Sequence, residues 1–72
     1  MAEPPADWTP YLGRKVSIRF RVHDDPDHPF SEAVGVVQSV DPSIGIAIVK
    51  RDGSVVSVAA TDILAAKVFP TA

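Results

Sequence analysis

Six consecutive residues, His23-Asp24-Asp25-Pro26-Asp27-His28, gather two imidazoles and three carboxylates, the side-chain types that ligate divalent metals. Such a site needs ligands that converge from a rigid frame with supporting hydrogen bonds. Pro26, with Pro29 just beyond, makes this stretch a loop, and it reads as a solvated acidic loop with no metal. A second grouping is basic. Lys15, Arg19 and Arg21, with Arg14 beside them, are placed to meet phosphates, but no exposed aromatics interleave with them for base stacking. A solvated strand face paired across the sheet with acids such as Glu32 is the favoured account of them. A third grouping is aromatic: Trp8, Tyr11, Phe30 and Phe69. Aromatic-lined grooves take proline-rich peptides, yet the loop after the first strand lacks the tyrosines of such grooves. Capping of the core, or packing against a neighbouring domain, is the simpler role for these rings. Ser31, Ser43, Ser54 and Ser57 have no adjacent histidine base, so a hydrolytic triad is set aside. With no acid–base pair, metal set or phosphate loop, the chain reads as a non-enzyme without a cofactor.

Short β-strands must position these groups. From Lys15 to His23 the chain alternates: Val16, Ile18, Phe20 and Val22 face one way, and Lys15, Ser17, Arg19, Arg21 and His23 the other. Residues 24–31 are loop chemistry, and residues 32–40 form a second strand with Gly35 marking a bulge or a close backbone approach. Asp41-Pro42-Ser43 is a turn. Next comes a hairpin, in which residues 44–50 and 54–58 are joined through Arg51-Asp52-Gly53. A two-residue loop would split the large side chains between the faces. A three-residue loop, with Gly53 left-handed, pairs Ile48 with Val56 and Ile46 with Val58, and burial selects this register. Thr61 or Asp62 is suited to cap a single helical turn, after which Ile63 and Leu64 point inward. Residues 65–69 close the sheet and Pro70 ends it.

The interior expected from this pattern comprises Val16, Ile18, Phe20, Val22, three valines of the second strand, Ile44, Ile46, Ile48, Val56, Val58, Leu64 and Val68. Val34 or Val37, Ala47 and Val49 are left as an apolar exterior needing cover from another copy or another domain. The fold class is all-β: a small, SH3-like, five-stranded, partly open barrel with one 3-10 turn before the last strand. An Sm-like barrel is the near competitor. It normally begins with a helix, for which residues 1–13 with their prolines are poor material. Residues 1–10 read as a flexible proline-rich lead-in, 11–70 as the barrel and 71–72 as a tail.

Size and composition agree. Seventy-two residues make one domain, and 46% apolar content excludes a disordered chain. There is no cysteine, hence no disulfide or thiolate chemistry, which is compatible with a cytoplasmic location. No apolar run approaches the roughly 20 residues of a membrane span, and residues 1–7 lack the features of a secretory signal. A net charge of −2 is unfavourable for general nucleic-acid binding.

The segment Tyr11-Leu12-Gly13-Arg14-Lys15-Val16-Ser17-Ile18-Arg19, the Gly35-Val36-Val37 strand, and the run from Val49 through Asp52-Gly53 to Val68 together resemble a known module. It is the SH3-like domain at the N-terminus of certain actinobacterial GNAT-family N-acetyltransferases, and the likeness covers about residues 11–70. The resemblance implies a domain that precedes a separate acetyltransferase domain binding acetyl-coenzyme A. It also implies that these 72 residues do not themselves transfer acetyl groups. The expected function is that of an accessory interaction domain that docks a neighbouring domain or protein partner, without a membrane. The alternative is a freestanding small barrel that binds nucleic acid through the basic face of the first strand. The candidate interaction surface is Lys15, Arg19, Arg21, Trp8 and Tyr11.

Overall fold

Alternation of β-branched and polar residues sends successive side chains to opposite faces, and five such runs pair here into one antiparallel sheet. The computed structural model describes residues 2–70; the two-residue tail expected at 71–72 lies outside them. The strands are β1 (Lys15–Arg21), β2 (Phe30–Asp41), β3 (Gly45–Lys50), β4 (Val55–Ala59) and β5 (Ile63–Val68), in the spatial order β4-β3-β2-β1-β5. A 3-10 turn (Ala60–Asp62) precedes β5, as expected. The hairpin takes the three-residue loop: Ile46 faces Val58 and Ile48 faces Val56. Gly53 has φ +89°, the left-handed conformation that a side chain makes costly.

β2 is the spine. Its first half pairs with β1 and its second half with β3. A register shift between Val37 and Ser39 bends the strand so that it serves both partners. Gly35 stands at the crossover, opposite Val16 on one side and Lys50 on the other. A Cβ there would overlap the Val49 carbonyl oxygen and lie 2.6 Å from Ile48 Cγ2. Gly35 therefore marks the close approach, and the bulge falls beyond it, at Gln38.

The concave side holds Trp8, Val16, Ile18, Ala33, Val37, Ile46, Ile48, Val58, Ile63 and Ala66, with Tyr11, Phe20, Val40, Val56 and Val68 packed around them. Besides valines of β2, three expected core residues are absent: Val22, half-buried beyond the end of β1, Ile44 and Leu64. Ile44 is 67% exposed. Its N–H donates to the Asp41 carbonyl to close a turn, and β3 begins only at Gly45, so Ile44 is not on the strand whose alternation it appears to extend. Leu64 is exposed because β5 shifts register against β1: Ala65 faces Arg19 and Ile63 faces Phe20, which leaves Leu64 as the unpaired residue of a bulge. Of the β2 valines, Val37 is buried, whereas Val34 and Val36 are exposed. No side chain caps the 3-10 turn, so Thr61 and Asp62 do not take the expected role.

The lead-in expected to be flexible is tied down at several points. Ala2 exchanges two backbone hydrogen bonds with Ala66 of β5, at 3.2 and 2.9 Å. Asp7 Oδ1 accepts the Thr9 N–H at 2.9 Å, ahead of a 3-10 turn (Thr9–Tyr11) that contains Pro10. Trp8 is buried in the core, edge-on to Tyr11 with ring centroids 6.0 Å apart.

Candidate interaction face

Residues directly opposite in an antiparallel pair project from the same face. Val16 and Ile18 face the core, so Lys15, Ser17, Arg19 and Arg21 project from the outer face of β1. Their β2 partners are Val36, Val34, Glu32 and Phe30 respectively. The same face extends through Val49 of β3, opposite Val36, to Val55 of β4, opposite Val49. In the other direction it reaches Lys67 of β5, opposite Ser17. The result is an apolar stripe in open solvent. Val34 is 43% exposed, Val36 42%, Phe30 47% and Val55 53%. An open hollow of about 510 Å³ lies over it, lined by Lys15, Val34, Gly35, Val36, Val49, Lys50 and Arg51.

Cations border the stripe. Of seven lysines and arginines, six stand on or beside this face: Lys15, Arg19, Arg21, Lys50, Arg51 and Lys67. The seventh, Arg14, donates from Nη2 to the Phe69 carbonyl at 2.9 Å and braces the entry to β1 instead. Glu32 is the acid whose strand position puts it here. It faces Arg19 in register, yet among the described residues the only ion pairs are histidine–aspartate contacts. Cross-strand pairing therefore does not account for the basic face. The cations lie over aromatic rings instead: Arg19 Cζ is 5.4 Å from the Phe30 centroid, and Lys15 and Lys67 Nζ are 5.2 and 5.3 Å from that of Phe69.

The sequence-derived surface thus divides. Lys15, Arg19 and Arg21 come together on the outer face. Trp8, 4% exposed, belongs to the core, and half-buried Tyr11 borders a separate hollow with Pro5, Ala66 and Val68. Sequence reasoning missed Lys67, whose membership depends on register across the sheet, and Lys50 and Arg51, which border the hollow from the end of β3. The apolar half had a local signal, since residues 33–37 are too uniformly apolar for a strand with one wet side.

The histidine-rich hexapeptide does not converge. His23 Nε2 lies 2.8 Å from Asp62 Oδ1, at the 3-10 turn before β5, while His28 Nδ1 lies 3.2 Å from Asp25 within its own loop. Among the described residues no three His, Cys, Asp or Glu side chains come together as a ligand set. Two carboxylates elsewhere are held below their ordinary value of 3.8. Ser54, by its hydroxyl and then its N–H, stabilises the charged form of Asp52, and the Thr9 backbone N–H, followed by the Thr9 hydroxyl, does the same for Asp7. Neither builds a reactive site. No helix among the described residues is long and apolar enough to cross a membrane.

Residues 10–67 match the family described as the Rv0428c N-terminal Sm-like domain, and the chain belongs to that family. No curated protein and no solved structure matches it. The small all-β barrel stands as expected, but the family carries the Sm-like description that the sequence reading ranked second. The helix on which that ranking turned is replaced here by the single 3-10 turn at Thr9–Tyr11.

Proposed function

We propose that this Sm-like barrel is a non-catalytic docking module whose outer β1–β2–β3 face holds a neighbouring protein domain. The observation that carries the reading is the apolar stripe of Val34, Val36 and Val55, each more than two-fifths exposed and joined across β3 by Val49, with equally exposed Phe30 beyond Glu32 on the same face. Covering such surface is worth about 25 cal/mol per Å², and contiguous apolar patches on small soluble domains mark interfaces. Two further points support a neighbour in the same polypeptide. The family description places its domain at an N-terminus, and the sequence resembles the module that precedes GNAT acetyltransferase domains.

The test is amide chemical-shift mapping of the ¹⁵N-labelled chain with a GNAT acetyltransferase domain. Docking moves the resonances of Val34, Val36, Val49 and Val55, and Val36→Asp abolishes the effect while the spectrum stays dispersed. Shifts confined to the His23–His28 loop, or none at all, would remove the proposal. The cations of this face, which have no carboxylate partner among the described residues, favour a second reading, nucleic-acid binding. It requires salt-sensitive affinity for an oligonucleotide that weakens in Arg19→Glu or Arg21→Glu. Against it, the chain's own cations already lie over the rings of Phe30 and Phe69 and compete with bases for stacking there.

A further inference from the structure

We infer that the occupant of the outer face is an amphipathic helix with one acidic flank. The inference rests on the docking reading above and specifies its partner. An exposed sheet face is buried most readily by a helix laid across it. The apolar stripe runs from β2 through β3 to β4, two inter-strand spacings, or about 10 Å. That is about the diameter of a helix with its side chains.

The charge is uneven: four cations follow the β1 and β5 side of the face, and Lys50 and Arg51 stand at the end of β3, bordering the hollow. Val49 and Val55 lie on the β3–β4 side of β2, whereas Lys15, Arg19 and Arg21 line its β1 side, with Lys67 beyond them. Lys15 to Arg21 spans six residues of strand, about 20 Å, which matches about 13 residues of helix. A helix lying along β2 would seat an apolar face on Val36, Val34 and Phe30. Glu32 interrupts that track between Val34 and Phe30, so the helix would meet it with an uncharged residue and carry its carboxylates along the flank over β1, for roughly four turns.

Two competing occupants fit less well. A second copy placed face to face would set Lys15, Arg19, Arg21 and Lys67 against their own counterparts, and like-charge juxtaposition disfavours that pairing. An oligonucleotide meets the competition for the rings already described.

The experiment uses two synthetic helical peptides of about four turns with the same leucine stripe. One carries glutamates on a single flank and the other carries lysines at those positions. Each is titrated into the ¹⁵N-labelled chain, alongside oligothymidine and the acetyltransferase domain. The glutamate peptide is expected to move Val34, Val36 and Val49 amides. Its affinity is expected to fall at least about tenfold when lysines replace the glutamates, or when Lys15→Glu or Arg19→Glu is introduced, a loss of the size that rim and interfacial charges produce. Retained spectral dispersion shows that a variant is folded. Equal binding of both peptides, no binding of the acidic one, or oligothymidine alone moving these amides would overturn the inference. If the acidic peptide fails while the acetyltransferase domain still perturbs the face, docking stands and the acidic helix falls. If neither perturbs it, both fall.

Discussion

Trp8 sits among residues that read as a loose lead-in, yet it is 4% exposed and packs with Val16, Ile18 and Ile63 in one core. Replacing it with alanine should be among the most damaging single changes available. Truncating a buried large aromatic costs about 3–5 kcal/mol. At about 0.05–0.15 kcal/mol per residue, a domain of 72 residues has roughly 4–11 kcal/mol in total. Trp8→Ala should therefore remove between about a quarter and all of the stability. With a urea slope of about 1 kcal/mol per molar for so small a domain, the midpoint should fall by about 3 M or more. Far-UV circular dichroism follows the variant. In the parent chain Trp8 is the sole tryptophan, so its fluorescence reports the lead-in alone. Its transition should coincide with the dichroism transition if segment and barrel unfold as one unit. A midpoint change under about 0.5 M in Trp8→Ala, or fluorescence that shifts well before the dichroism, would refute the placement of residues 8–11 in the core.

Three further outcomes follow from particular residues. Ile46→Ala should cost about 2–5 kcal/mol and Ile44→Ala under about 0.5 kcal/mol, because only the first lies in the core; equal effects in urea unfolding would contradict the turn assignment. Gly53→Ala should cost about 1–2 kcal/mol because Gly53 alone in its loop takes left-handed φ; an unchanged thermal midpoint would count against the three-residue loop. Ser54→Ala should raise the Asp52 pKa towards its ordinary value, since the Ser54 hydroxyl donates to Asp52 Oδ1 at 2.6 Å. Because the folded-state value is depressed, the contact's stabilisation is present above 3.8 and lost as pH falls through the lower folded value. The variant should lose less stability on acidification, and a carboxyl ¹³C titration that leaves Asp52 unmoved would exclude the bond.

The parts of this fold legible in the sequence were those set by local parity. Clean alternation over Val16–Val22 fixed the inner and outer faces of β1 and so found Lys15, Arg19 and Arg21. In the hairpin, two β-branched strands and one glycine admit a single register that buries both halves. The errors arose where parity is broken by something non-local. Ile44 keeps the period of Ile46 and Ile48 but lies in a turn, and Leu64 keeps the apolar character of Ile63 but falls on a bulge set by β1. Core capping by Trp8 was legible from its ring, but the prolines around it made the segment read as loose, although Pro10 in the first turn of a 3-10 segment costs nothing. On the outer face, Lys67 joins Lys15 only through the pairing of two strands some fifty residues apart. A one-strand reading cannot supply that.

The arrangement of charge also resolves an apparent conflict in the composition. A chain of net charge −2 is a poor polyanion binder, yet four of its seven cations project from one side of the sheet and two more border the hollow at its edge, where Glu32 is the opposing acid. Net charge governs solubility and long-range repulsion, whereas steering depends on the local field. The exposed valines are a liability of the kind that natural sheets guard with lysine and arginine. A guard of uniform sign does more than keep copies apart. It repels any surface like itself and lowers the barrier for one of opposite sign, so the device that prevents self-association also selects the partner. On this argument, reversing Lys15 and Arg19 together should do two things at once. It should weaken acidic partners and promote face-to-face self-association of the barrel, measurable as a rise in sedimentation coefficient with concentration. A double variant that stays monomeric and binds acidic peptide undiminished would show that the cations serve neither purpose.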